Sequence, residues 1–271
     1  MVTNDREVFV LGANADIGNA MLHFFASEGW RVGGTFRKAA PELAGLPTTA
    51  NPLLLHCDFA EDSAAETVAA SFAKTGRRWD VLLSAVGTML PVGPFMHTPF
   101  TDWERNVRVN LLSQLQAIHA LYPYRRRDLT SHVVFLAGGG TNGPFRNYSA
   151  YCLSKIALIK ACELLDDECE DLNAFIVGPG WVRTRIHAET IASGALAGEN
   201  LRNTERFLST GEAGTPLEDI YRCIQWGIRE GRAVAGGRNF SVVHDPWGHP
   251  QFSAQLQADP NLCKLRRVHP L

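Results

Sequence analysis

The stretch Glu7-Val8-Phe9-Val10-Leu11-Gly12-Ala13-Asn14-Ala15-Asp16-Ile17-Gly18 decides how the rest of the chain is read. Glu7 to Leu11 is a short β-branched and aromatic run that stops at Gly12, and a helical pattern starts near Ile17. A strand that turns through glycines into a helix offers free backbone N–H groups and the positive end of a helix dipole. That arrangement suits a pyrophosphate. Gly12 permits the tight turn, and Gly18 lets the helix lie close to the strand. Asp16 holds the middle position, where it can cap the helix start. A carboxylate beside a pyrophosphate is electrostatically unfavourable, so an ordinary strand–helix turn with an Asp cap is the plainer alternative.

The same alternation continues outward. A second strand, Arg31 to Thr35, ends in Phe36-Arg37-Lys38. Folds that prefer NAD place an acid there for the ribose 2′-hydroxyl; two cations instead suit a 2′-phosphate, which favours NADP(H) over NAD(H). Taken singly, each cation is equally well read as a solvated charge opening the loop from Ala39 to Pro52. Leu53 to His56 is a third strand, and Asp58 after it can meet an adenine edge or cap a helix from Glu61 to Lys74. Val81 to Gly87 is a fourth, buried strand ending in small residues. Four strand–helix alternations in succession indicate a parallel, doubly wound sheet.

Thr101-Asp102-Trp103-Glu104 reads as a capping box opening a long helix whose apolar stripe runs Trp103, Val107, Leu111, Leu115, Ile118 and Tyr122. Asn110 falls close to that stripe, where a polar group needs a partner: a water, a backbone carbonyl or a structural hydrogen bond. His132 to Leu136 is the fifth strand. Its loop, Ala137-Gly138-Gly139-Gly140-Thr141, leads to Tyr151-Cys152-Leu153-Ser154-Lys155. Tyr151 and Lys155 stand four apart, on one helical face. An ammonium one turn from a phenol is expected to favour the phenolate and bring its pKa toward neutral pH.

Ala174 to Val177 is the sixth strand, running into the turn Gly178-Pro179-Gly180-Trp181-Val182-Arg183-Thr184, beyond the carboxyl end of a strand, where such sheets bind ligands. Residues from about 185 to 215 are polar and Gly-punctuated, with weak periodicity, and read as a mobile lid over a substrate. A helix from Leu217 to Arg229 and a seventh strand, Phe240 to Val243, complete the sheet. The tail, 245–271, with Trp247, Phe252, Leu256, Leu262 and Leu265, is expected to pack on its own body or on a neighbouring subunit.

With 271 residues and 45% hydrophobic residues, the chain can bury a sizeable core as one domain over 1–271. A formal charge of −2 argues against nucleic acid as the main partner. The six cysteines show no C-x-x-C pair and no zinc-ligand spacing, which predicts reduced core residues and no metal site. No apolar run reaches the length of a membrane span, and the polar start, Met1 to Glu7, lacks an apolar signal region; a cytoplasmic protein is the expectation.

In order and separation these motifs resemble the short-chain dehydrogenase/reductase family over residues about 7 to 245. Gly12-x-x-x-Asp16-x-Gly18 is similar to its T-G-x-x-x-G-x-G, with Leu11 for the Thr and Asp16 for the middle Gly. Ser84-Ala85-Val86-Gly87 stands in for N-N-A-G. Asn110 falls at the family's catalytic Asn, Tyr151 to Lys155 is its Y-x-x-x-K in full, and Pro179 to Thr184 matches P-G-x-V-x-T. The resemblance implies a single-domain α/β Rossmann fold, with a mostly parallel seven-stranded sheet and helices on both faces. It also implies an NADP(H)-dependent carbonyl reductase or alcohol dehydrogenase. Tyr151 would be the general acid/base, Lys155 the holder of the nicotinamide ribose, and Asn110 the support of a water relay.

The cofactor would meet Gly12, Asn14, Ile17, Gly18, Arg37, Asp58, Gly87, Tyr151, Lys155, Pro179, Gly180, Val182 and Thr184, the last at the carboxamide. The family's catalytic Ser should stand thirteen residues before the Tyr, where this chain has Gly138; Thr141 or Asn142 are the substitutes within reach, and Trp181 completes the expected substrate site. Arg146, Arg183, Arg185 and His187 suit an anionic group or simple solvation. The loss of the Ser keeps open a catalytically silent dinucleotide-binding scaffold, and an epimerase or dehydratase is a third reading. The family further implies a homodimer or homotetramer acting on a small carbonyl or alcohol, away from nucleic acid and membranes.

Overall fold

The structure is a computed structural model and describes residues 5–211 and 213–267. Its strands are β1 (Glu7–Leu11), β2 (Arg31–Phe36), β3 (Leu53–His56), β4 (Val81–Ser84), β5 (Ser131–Leu136), β6 (Leu172–Gly178) and β7 (Asn239–Ser241). The helices are α1 (Asp16–Ser27), α2 (Ala64–Ala73), α3 (Phe100–Val107), α4 (Ser113–Leu121), α5 (Ser149–Glu168), α6 (His187–Ala192), α7 (Glu199–Ser209), α8 (Leu217–Glu230), α9 (Arg232–Ala235) and α10 (Pro250–Ala258). All seven strands are parallel, in the order β3-β2-β1-β4-β5-β6-β7. The order reverses between β1 and β4, the switch point at which such sheets open a crevice.

Two-residue periodicity divides the core into two layers. Val8 and Val10 join Val81, Leu83, Phe175 and Val177 under α1, α8, α9 and α10. Phe9 and Leu11 turn to the other face, joining Leu82, Phe135 and Ile176 under α2, α4 and α5. Helices on both faces explain why the strands read as continuous apolar runs. Gly12 takes φ +77° at the end of β1, and a Cβ on Gly18 would stand 2.3 Å from the Gly12 carbonyl oxygen. The close approach of α1 to the turn therefore depends on a bare Cα.

Four local expectations need correction. The long helix begins at Phe100 behind Pro99, with no side-chain cap. Proline's fixed φ starts the turn and Phe100 stacks on Trp103, centroids 5.4 Å apart, which overrides the Thr101 capping box. The helix is also interrupted by a π turn, Arg108–Leu112, that carries Asn110. Asp16 is the first residue of α1 rather than its cap; Ala15 holds the cap position. The segment from 185 to 215, read as polar with weak periodicity, contains α6 and α7; α7 is amphipathic but polar on average, with Thr204 and Phe207 its buried side chains.

The tail packs on its own body as far as it is described, with Phe252 and Leu256 buried and residues 268–271 outside the described part. Its anchor is Arg238, 3% exposed at the start of β7. The guanidinium donates to the carbonyls of Leu262 (3.0 Å), Ala233 (3.4 Å), Val234 (2.5 Å), Leu256 (2.5 Å) and Asp259 (3.0 Å). No helix among the described residues is long and apolar enough to cross a membrane.

Candidate active site

Loops at the carboxyl ends of all seven strands meet around one cleft of about 1350 Å³, lined from Gly12 after β1 to Ser241 at the end of β7. That is enough space for a dinucleotide and a second small molecule. The first end of the cleft holds Gly12, Asn14, Asp16, Ile17, Arg37, Lys38 and Asp58; Gly18 lies behind it in α1. Arg37 and Lys38 are exposed and, among the described residues, neither makes a hydrogen bond or ion pair. Two unpartnered cations beside a helix N-terminus fit an anionic nucleotide. Asp58 accepts from the Ala60 N–H at 3.0 Å, so it shapes a turn rather than capping α2, which starts at Ala64.

At the centre stand Tyr151 and Lys155, both on α5 and both lining the cleft with Gly87. The Lys155 ammonium donates to the Leu136 carbonyl at 2.9 Å and lies 5.8 Å from the Tyr151 ring centroid. Burial lowers the lysine to about 8. Burial also pushes the Tyr151 phenol up to about 12, and the Glu189 carboxylate and Cys152 add to the rise. Burial thus works against the expected lowering of the phenol by Lys155, whose ammonium faces a carbonyl rather than the hydroxyl.

Gly138 explains the missing Ser. A Cβ there would lie 2.3 Å from the Tyr151 hydroxyl oxygen and 2.7 Å from two ring carbons. The phenol itself fills the space in which a serine side chain would begin. Thr141 is turned back, its hydroxyl 3.4 Å from the Gly138 carbonyl, and Asn142 is exposed at the cleft rim. Gly138→Ser is expected to displace the tyrosine and destabilise the fold by about 1–3 kcal/mol, as overpacking of a filled space does. A thermal melt of the variant indistinguishable from the parent would show that the phenol has room to move.

Asn110 is fully buried and clamps one residue, Thr88, by both of its backbone polar groups. Its Oδ1 accepts from Thr88 N–H at 3.0 Å and its Nδ2 donates to Thr88 O at 2.8 Å. Asn106, four residues earlier, donates to the carbonyls of Thr88 (3.0 Å) and Leu90 (2.6 Å). The Asn110 carbonyl accepts from Gln114 at 2.8 Å, and Gln114 in turn receives the Ser84 hydroxyl at 2.7 Å. Of the expected partners for Asn110, the side chain takes backbone groups of Thr88 and also donates to Asn106 Oδ1 at 2.7 Å.

Asn106 escaped the sequence reading, although its spacing from Asn110 was visible. Glu189 escaped too; its carboxylate accepts from the Thr88 hydroxyl (3.1 Å) and from Met89 N–H (2.5 Å), tying α6 to the loop after β4.

The turn after β6 brings Pro179, Gly180, Trp181, Val182 and Thr184 into the cleft wall. Val182 bridges Gly214, and Thr215 N–H donates to Trp181 O at 2.7 Å, so the end of the 185–215 segment ties back onto the turn. Trp181 is half-exposed and stacks on His187, centroids 5.5 Å apart. The four residues considered for an anionic group do not converge. Arg183 donates to the carbonyls of Phe207 and Leu208 at the end of α7, His187 is buried against Val182 O, Arg185 binds Asp16, and Arg146 lies outside the cleft lining. Among the described residues no His, Cys, Asp and Glu group can hold a metal ion, and all six cysteines are free.

Comparison with known proteins agrees with this geometry. The family model described as "Enoyl-(Acyl carrier protein) reductase" matches residues 12–219. An uncharacterized oxidoreductase of Schizosaccharomyces pombe is 28% identical over 207 residues, covering 73% of this chain and 81% of that protein. A short chain dehydrogenase/reductase from Saccharomyces cerevisiae superposes with a TM-score of 0.75 at 22% identity, over 89% of this chain and 97% of the other. A short chain dehydrogenase from Shigella flexneri 2a, complexed with NADP, has a TM-score of 0.71 at 20% identity, over 89% and 98% of the two chains.

Proposed function

The chain belongs to the short-chain dehydrogenase/reductase family of oxidoreductases, and from that premise we propose that it is an NADP(H)-dependent carbonyl reductase acting on a small molecule, with Tyr151 as proton donor. The observation that carries the proposal is the Tyr151 phenol, beside Lys155, in the wall of a cleft with room for both a dinucleotide and a carbonyl compound. When bound, the dinucleotide supplies the hydride. The chain's residues do the rest.

Gly12 and Ile17, with the start of α1, would hold the pyrophosphate, and Gly18 allows that helix its position. Arg37 with Lys38 would hold the 2′-phosphate, Asp58 the adenine edge, Asn14 and Gly87 the groove walls, and Thr184 the carboxamide. A phenol well above neutral pH is a poor base but remains protonated, so it serves as donor to a developing alkoxide. Lys155 holds a positive charge near that oxygen and the ribose hydroxyls. Asn110 and Asn106 act on the site by fixing the loop at Thr88; a water relay through Asn110 stays within the proposal.

Three observations favour NADP(H) over NAD(H): Arg37 and Lys38 have no partners among the described residues, no acid ends β2, and one structural neighbour is complexed with NADP. Titration of the purified chain is expected to show tighter binding of NADPH than of NADH. Arg37→Ala should weaken NADPH about tenfold, the order expected for one charge-assisted phosphate contact, and leave NADH unchanged. Loss of NADPH absorbance on screening carbonyl compounds tests the reaction; binding without turnover on any of them would favour the silent scaffold.

The reductive rate should also depend on pH with a definite sign. Lys155 is lowered to about 8, so its charge is complete below that value and is lost as pH rises through it. The rate is expected to fall above about pH 8, and a flat profile to pH 10 would remove the lysine charge from the scheme. A homodimer or larger assembly fits Leu112, Leu153 and Leu164, which are exposed on the long helices; light scattering of the purified chain measures it.

A further inference from the structure

Asp16 sits at the middle position of the glycine-rich turn, where this type of fold brings its backbone closest to the pyrophosphate. A carboxylate at that point opposes the charge it is meant to receive. The structure supplies an answer from the segment after β6. Arg185 donates its backbone N–H to Asp16 Oδ2 at 2.6 Å and its Nε to Asp16 Oδ1 at 2.8 Å, and its Nη2 reaches the Asn14 carbonyl. Both residues line the cleft, with side chains 70% and 30% exposed for Arg185 and Asp16. An ion pair so open to solvent contributes little to holding the fold. Its consequence is local: it changes the charge of the groove floor from negative to neutral.

We propose that Arg185 is a positioning residue for the dinucleotide, cancelling the Asp16 charge so that the pyrophosphate can settle on the start of α1. This rests on the cofactor reading given above. The guanidinium has five N–H donors and uses two of them on Asp16 and Asn14, leaving the others at the groove. The pairing also links the turn after β6 to the turn after β1.

The sign of a double-variant cycle tests this by binding alone. NADPH and adenosine 2′,5′-bisphosphate, which has no pyrophosphate, are titrated calorimetrically into the full chain and into Arg185→Ala, Asp16→Gly and the double variant. Arg185→Ala is expected to weaken NADPH roughly tenfold or more by leaving Asp16 uncompensated. Asp16→Gly should bind NADPH at least as tightly as the parent, and adding Asp16→Gly to Arg185→Ala should recover most of the loss. The bisphosphate keeps only one phosphate of that pair, so Arg185→Ala should weaken it by less than it weakens NADPH.

An Arg185→Ala affinity equal to the parent's would overturn the proposal, as would a double variant no tighter than Arg185→Ala. Arg185→Gln and Asp16→Asn repeat the cycle should either original variant fail to fold. If the parent chain binds neither NADPH nor the bisphosphate, the cofactor reading itself is wrong, and the proposal falls with it.

Discussion

Tyr151→Phe is expected to lower the rate of carbonyl reduction by about 10²–10⁴-fold, the range that a positioned general acid contributes. NADPH affinity should stay within about threefold of the parent, because only one hydroxyl is removed from a ring that remains 6% exposed in the same wall. The phenol has no partner to lose: among the described residues nothing hydrogen-bonds its hydroxyl, so the fold should melt at the parent temperature. These three readouts together separate a lost proton donor from a damaged cleft. A variant that keeps the parent's rate would move the acid elsewhere, and Lys155, lowered to about 8, would be the next group to test.

The largest stability effect is expected far from the chemistry, at Arg238. Arg238→Met removes a buried guanidinium that answers five backbone carbonyls from α9, α10 and the segment at 259–262. A methionine fills much of the volume but donates nothing, so buried acceptors are left unpaired, each worth about 1–3 kcal/mol and not additive. A loss of about 3–5 kcal/mol, the range for breaking a buried charged contact, is a large share of a typical domain's stability of about 5–15 kcal/mol. Urea unfolding measures it. A change below about 1 kcal/mol would mean that water reaches those carbonyls and that the tail is held by Phe252 and Leu256 alone.

The strands and their order of use were legible because their signals are local. Glu7 to Gly18 announces strand, turn and helix within twelve residues, and the buried strands after it repeat the pattern. Tyr151 and Lys155 were legible for the same reason, one helical turn carrying both. What escaped depends on contacts between distant parts of the chain. Asp16 looked like a helix cap because its partner Arg185 lies 169 residues away.

The tyrosine's high pKa follows from burial and from Glu189, which sits in a segment too polar to declare itself as helix. Gly138 read as a missing donor; only the packing shows that the neighbouring phenol occupies its place. At Thr101 a local rule was simply outvoted, since Pro99 and the Phe100–Trp103 stack had already started the helix.

Label transfer tests most directly whether this cleft reduces carbonyl compounds. NADPH carrying deuterium on one face of the nicotinamide C4, then on the other, is incubated with the chain and a carbonyl compound that consumes it, and the product is read by NMR. Deuterium should appear at the carbinol carbon from one of the two isomers only. NADPH that binds while its label never leaves the ring, against every carbonyl compound tried, would contradict the assignment and leave a dinucleotide-binding scaffold.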